Sequence, residues 1–381
     1  MQPATKVRAR FLAAALAAGL LFSSHVHAAD DCAQPKPVCD ARAAIFRIKA
    51  FDPVASAVRI GPDTLVTARH AIADADHIVV FPAVGEAIEA TAVPSAYAGD
   101  IILLKVSGLA PGPILKPASL DPKAQLFTVG VDVGRRRIRA YDPGRLTFPP
   151  AAGHPLARLH HDAYSQPGNS GGAVVDAAGR LVGIVASGGE GRSEAVPANA
   201  LDALRAKSGN AHKAESKEIG AAIRICTLNI EDAQRARARR LHDQQAKALE
   251  TSCRRSANRQ LFDEAAKILG QTGRSAASIA LFELSLAEDP NAVNTRLGLV
   301  VSLSLGGRYE DAVTHIRWLM DHGVEDMQVL RFGIQAGVWG GDRALAERAY
   351  ARLKVVNPGL AERAKGFLEK PPPRLKPRTT P

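Results

Sequence analysis

Apolar positions change their spacing along this chain of 381 residues. Phe11 to Phe22 is an unbroken apolar run. From residue 43 to about 200 the runs are short and are interrupted by Gly, Pro and Asp. Examples are Ala44 to Ile48, Thr64 to Thr67, His77 to Phe81 and Ile101 to Val106. Short runs between turn formers predict an all-β barrel or sandwich. Near residue 200 the pattern becomes helical, in Ala, Leu, Arg and Glu. Residues 207–258 are polar and include Gln234 to Arg240, a run dominated by arginine. They read as a linker plus a solvated helix, with the arginines on its wet face.

Residues 259–366 repeat themselves. Gly273, Gly307 and Gly341 are 34 residues apart, as are Ser278, Ala312 and Ala346, and also Phe282, Ile316 and Tyr350. Pro290 and Pro358 stand two periods apart. Each column has a physical sense. Glycine opens a tight turn between two helices, the small residue lets the helices approach, and the large apolar one fills the space a turn later. Proline breaks the helix. A unit of this length resembles the tetratricopeptide helix–turn–helix, in about three copies. The tail, residues 367–381, is proline-rich and basic and reads as disordered.

Composition adds a compartment. Lys6, Arg8 and Arg10 precede the Phe11–Phe22 core, and Val26-His27-Ala28 offers a small-residue cleavage site. Residues 1–28 therefore read as an export signal. An uncleaved anchor is the alternative, although the core is short for a membrane span. No second apolar run calls for a span after signal removal. Export makes disulfides reasonable for Cys32, Cys39, Cys226 and Cys253. Four cysteines allow three pairings, of which the local ones, Cys32–Cys39 and Cys226–Cys253, are favoured. The first would staple residues 29–42. The net charge of +11 is scattered and has no basic stripe interleaved with aromatics, which argues against nucleic acid.

The chemistry concentrates in residues 43–206. Ser165 to Asp176 reads SQPGNSGGAVVD, a serine set among glycines at the mouth of a hairpin. Upstream, His70 closes the apolar stretch LVTARHAI, and Asp100 opens the strand-like GDIILLKV. Taken singly, these are a surface histidine, a turn aspartate and a hairpin entry. His160-His161 offers a weak metal alternative; otherwise His77, His154, His160 and His161 read as surface residues, and no metal or cofactor is expected.

Together, in the order His, Asp, Ser, the segments LVTARHAI, GDIILLKV and GNSGGAVVDAAGRLVGIVASG resemble those of chymotrypsin-like serine proteases. They are most similar to the bacterial trypsin-like and HtrA-type branch. The resemblance implies two packed six-stranded β-barrels with the site between them. It implies that Ser170 is the nucleophile, His70 the general base and Asp100 the group that orients the imidazole. Gly168 and Ser170 N–H would form the oxyanion hole. Tyr164, Ser187, Gly188 and Gly189 would line the pocket for the residue preceding the cut, which carries no acid and so suits a small or apolar side chain.

Three positions depart from the family pattern. Ala55-Ser56-Ala57 stands where Gly-Ser-Gly is common. Arg69 replaces a small residue. Asn169 replaces the aspartate on which a digestive-type zymogen switch depends, so activation by N-terminal trimming is not expected. No PDZ domain follows the protease segment; the repeats take its place. The expectation is an exported serine endopeptidase that acts on a protein or peptide, with repeats that hold a partner or substrate. The alternative is a scaffold whose protease domain is latent.

Overall fold

The computed structural model describes residues 32–189, 192–235 and 241–374. Residues 1–31, in which the export signal is expected, residues 190–191, Ala236 to Arg240 of the arginine run and residues 375–381 lie outside the described residues. A short helix, α1 (Lys36–Ala41), leads into six strands: β1 (Ile45–Lys49), β2 (Ala55–Gly61), β3 (Thr64–Ala68), β4 (Ile78–Phe81), β5 (Ile88–Ala92) and β6 (Ile101–Val106). Their order, β1-β2-β3-β6-β5-β4, closes through antiparallel pairing of β1 with β4. Ile48, Leu65, Ile78 and Leu104 fill the interior without exposure. One turn of helix, α2 (Arg69–Ile72), follows β3.

The second barrel uses β7 (Gln125–Asp132), β9 (Gly144–Phe148), β10 (Leu159–His161), β11 (Ala173–Asp176), β12 (Leu181–Gly189) and β13 (Arg192–Pro197). The order β11-β12-β13-β10-β9-β7 closes because β7 also pairs with β11, and β8 (Arg137–Ala140) hangs on the outside of β7. Closure pairs the edges of both six-stranded barrels and leaves β8 as the outer strand of the second sheet. The fold is thus the chymotrypsin-like pair of six-stranded barrels, followed by an all-helical region.

That region starts with α3 (Ala200–Ala206) and then α4 (Lys213–Arg235) and α5 (Asp243–Ser256). Residues 207–258, read from sequence as a linker and one solvated helix, therefore carry two long helices. Each is polar over most of its circumference, which hid a narrow apolar stripe. Ile223, Cys226 and Ile230 on α4 are buried, as are Ala246, Leu249 and Cys253 on α5. The Cys226–Cys253 disulfide joins the two helices. Cys32 and Cys39 are also disulfide-bonded, and no cysteine among the described residues is free.

Three helical hairpins follow: α6 (Arg259–Gln271) with α7 (Ser275–Glu288), α8 (Val293–Leu305) with α9 (Tyr309–Asp321), and α10 (Met327–Trp339) with α11 (Arg343–Val356). The helix α12 (Pro358–Glu369) ends the array. First helices start at 259, 293 and 327, and second helices at 275, 309 and 343. The period seen in the sequence is thus the period of the hairpins. Gly273, Gly307 and Gly341 have φ of +87°, +71° and +81° at the turns, where a side chain would be strained. Ser278, Ala312 and Ala346 are fully buried between paired helices. Pro358 takes the first turn of α12, with Asn357 as its cap.

Barrels and helices share contacts. The Phe148 and Trp318 rings stack at 5.5 Å. Arg192 at the tip of the β12–β13 hairpin pairs with Asp326, at the N-terminus of α10. On the first barrel, Arg224 of α4 pairs with Asp74.

Candidate active site

His70 sits on α2 and Asp100 just before β6. Strand β6 pairs with β3, the strand that feeds α2, and Arg69 N–H donates to Asp100 C=O at 3.2 Å. Asp100 uses both carboxylate oxygens on His70. Oδ2 lies 2.7 Å from ring Nδ1, and Oδ1 accepts the backbone N–H at 3.0 Å. With the Nδ1 proton committed to a carboxylate, Nε2 is the basic nitrogen. Burial works against the imidazolium, but the adjacent Asp100 charge and hydrogen bond outweigh it, so the His70 pKa lies above its ordinary value. Burial likewise opposes ionisation of Asp100, and His70 with Arg158 more than compensates, so that carboxyl lies below its ordinary range.

Ser170 reaches the same place from the second barrel. A cleft of about 350 Å³ is lined by His70, Ser170, Gly168 and Ser187, among others. Among the described residues, Ser170 Oγ makes no hydrogen bond with the His70 ring; in resting sites that contact often tightens only when substrate binds. The loop before Ser170 is a tight turn, with Asn169 N–H donating to Gln166 C=O at 3.0 Å and Gly168 at φ +92°. Pro167 followed by a positive-φ glycine is the type II signature. Gly168 N–H and Ser170 N–H have no acceptor among the described residues, while Gly171 and Gly172 N–H are bonded to Val185 and Asn169. Two unspent donors thus flank Asn169 at the cleft. Gly171 permits this packing, since a Cβ there would stand 2.2 Å from Thr67 Oγ1.

Asn169 is buried and serves as an anchor. Its amide donates to Val131 C=O at 3.0 Å, and its Oδ1 accepts Gln166 N–H at 2.9 Å. Ser56 is the anchor that sequence reading missed. Its hydroxyl donates to Gly168 C=O at 2.7 Å and accepts Val131 N–H at 2.9 Å, and its N–H donates to Ser170 C=O at 2.9 Å. The departure flagged at Ala55-Ser56-Ala57 marked the position without revealing the role. Arg69 is also buried and donates to Tyr97 C=O, Ser95 C=O and Ser216. It ties the histidine turn to α4, at the cost of a guanidinium whose pKa burial lowers to about 10.

Of the four pocket residues expected, Ser187 and Gly188 line the cleft. Gly189 ends β12. Tyr164 does not line it: the side chain is half exposed and leans on Tyr141 at 5.5 Å. Residues outside the protease segment take part. Thr227 of α4 and Gln260, Leu261 and Glu264 of α6 form a wall of the cleft.

Behind Asp100 lies a buried group of charges with no local sequence signal. Arg158 Nη2 is 3.6 Å from Asp100 Oδ2, and its Nη1 is 3.2 Å from Glu194 Oε2. Glu194 also pairs with Arg259 of α6. Asp289, between α7 and α8, accepts from Arg158 N–H at 3.1 Å and lies 2.9 Å from His160 Nε2. Burial penalises the Glu194 charge, yet Arg259, His160 and Arg158 take its pKa to about 2. The reading of His160 and His161 as surface residues is therefore corrected. Both are buried; His160 is committed to Asp289, and burial beside His160 lowers the His161 pKa to about 4. Among the described residues no group of three potential ligands could hold a metal.

Residues 55–184 match the family model described as trypsin-like peptidase domain. No curated protein matches the chain. Solved structures similar to it include the Rv3671c protease of M. tuberculosis in its inactive form (22% identity, 45% of this chain, 92% of that one, TM-score 0.39). A serine endoprotease from Yersinia pestis matches at 23% identity over 45% of this chain and 64% of that one, with TM-score 0.40. An HtrA-type protease with a tripeptide matches at 26% identity over 45% and 62%, with TM-score 0.40. The family match supports a serine peptidase, with relatives that are distant.

Proposed function

We propose that this protein is an exported serine endopeptidase that hydrolyses peptide bonds through Ser170, His70 and Asp100. Ser170 Oγ attacks the scissile carbonyl while His70 Nε2 takes its proton. His70 then returns that proton to the leaving amine, and water repeats the cycle on the acyl-enzyme. Asp100 holds the imidazole and stabilises its cation. Gly168 N–H and Ser170 N–H receive the oxyanion, where one such donor contributes about 2.7–4 kcal/mol to the transition state. The observation that carries this reading is His70 Nδ1 2.7 Å from Asp100, in a cleft shared with Ser170.

The helical hairpins resemble tetratricopeptide repeats, and in this reading they recruit a protein substrate or partner. The disulfides and residues 1–28 fit export, with the periplasm as the compartment. No helix among the described residues is long and apolar enough to cross a membrane. A latent scaffold is the second reading, favoured by the absence of a Ser170–His70 hydrogen bond among the described residues and by the helical residues that line the cleft. A fluorophosphonate probe on the purified chain, beside Ser170→Ala, separates the two. Labelling lost only in the substituted chain supports the peptidase; a folded chain that never labels is the scaffold.

A further inference from the structure

A groove of about 570 Å³ lies between the β12–β13 hairpin and the helices α6 and α8. It adjoins the catalytic cleft: Ser187, Gly188, Gln260 and Glu264 line both. We infer that the groove is the distal part of the substrate site, and that its occupant is the substrate's own chain, extended past Ser187 and Gly188 onto the helical array. This rests on the endopeptidase reading and specifies its substrate class. Cavities of about 300–1,000 Å³ each hold a drug-sized ligand. Cleft and groove together therefore take a peptide segment of several residues rather than one side chain.

The walls say what that segment carries. Glu264 stands where the two cavities meet. Its carboxylate accepts from Gln260 Nε2 at 3.2 Å and has no cationic partner among the described residues. Of the cations nearby, Arg192 pairs with Asp326 and Arg259 with Glu194, and Lys267, which also lines the groove, makes no ion pair with Glu264 among the described residues. A lysine or arginine of the substrate is the complement to Glu264. Beyond it, α8 presents Leu297, Val301 and Leu305 to the groove, and Leu305 is 49% exposed. An apolar side chain covers these. The array then acts as a specificity element within the same molecule, selecting extended chains with a basic residue near the cut and an apolar one farther out.

The test compares tripeptide amides with libraries lengthened on either side, each position scanned with lysine and leucine, by kcat/KM. Lengthening on one side raises kcat/KM about tenfold or more, and lysine at one position of that extension contributes. Glu264→Gln removes the lysine preference, and Leu305→Asp removes the leucine preference while retaining the thermal transition of the parent. Binding of the same fluorescent peptides to Ser170→Ala reads the groove without chemistry. A chain that labels with fluorophosphonate but is indifferent to length, and whose Ser170→Ala form does not bind the long peptides, overturns the inference and spares the peptidase reading. A chain that never labels but binds long peptides through Glu264 overturns the peptidase reading and keeps the groove.

Discussion

Asp100 is the residue on which the geometry of the site turns, because its two oxygens fix both the ring and the backbone of His70. Asp100→Asn would place an amide against Nδ1 and favour the wrong tautomer, so kcat falls by about 10⁴ with little change in fold; steady-state hydrolysis beside a thermal melt checks this. Three charges face His70: Asp100 ahead of β6, Asp52 between β1 and β2, and Arg158 ahead of β10. Asp100 and Asp52 raise the His70 pKa and Arg158 lowers it. The base must be neutral to act, so the acid limb of kcat/KM follows that pKa. Arg158→Gln therefore moves the limb to higher pH and Asp52→Asn to lower pH. A limb that stays in place in both variants would show that His70 does not govern it. Ser56→Ala strands Gly168 C=O and Val131 N–H, costing about 1–3 kcal/mol and slowing fluorophosphonate labelling. His70, Asp100 and Ser170, the proposed catalytic residues, could be singled out in the sequence because each sits in its own short strand-and-turn context. Ser56 and Arg158 were not, since their partners lie 112 and 36 residues away for Gly168 and Glu194. Nothing local at either residue encodes such contacts.

Secondary structure was readable where the pattern had a strong period, and unreadable where polar residues outnumbered a thin apolar stripe. The repeat glycines announced the hairpin turns, and the short apolar runs announced the strands. For α4 and α5 the sequence showed mostly charge. The few buried positions on each helix become sufficient because the Cys226–Cys253 disulfide removes freedom from the unfolded chain. It closes a separation of 27 residues, and a loop of that size is expected to contribute about 3–4 kcal/mol. Replacing both cysteines by alanine lowers the urea midpoint accordingly. The α4–α5 pair also holds the histidine turn through Arg69 and Ser216 and supplies Thr227 to the cleft. Loss of the disulfide is therefore expected to slow labelling of Ser170 under conditions where the chain remains folded. Unchanged labelling would mean that the pair braces the array alone.

Across the whole molecule, the second barrel and the helical array are joined by charges that neither could bury by itself. Arg158, His160 and Glu194 come from the barrel, and Arg259 and Asp289 from the helices. All are nearly inaccessible. A buried ion group of this kind adds little net stability when complete, yet losing one partner costs about 3–5 kcal/mol because a charge is stranded. Glu194, with its pKa held at about 2, contributes stability that is present above its ordinary value and lost as pH falls toward 2. Arg259→Met relieves that depression, so the variant is less stable than the parent at neutral pH and the gap narrows in acid. Because the same Arg158 touches Glu194 on one side and Asp100 on the other, the helices bear on the carboxylate that holds the His70 ring through one guanidinium. A chain ended after residue 206 would lose Arg259 and Asp289. It would leave Glu194 and His160 without their helical partners, and it would uncover Phe148, which now stacks on Trp318. Such a truncation is expected to aggregate or to fold without labelling at Ser170, although it contains His70, Asp100, Ser170 and both barrels. If it instead labels at the rate of the full chain, the helices serve recognition only, and the charge group is a joint rather than a part of the site.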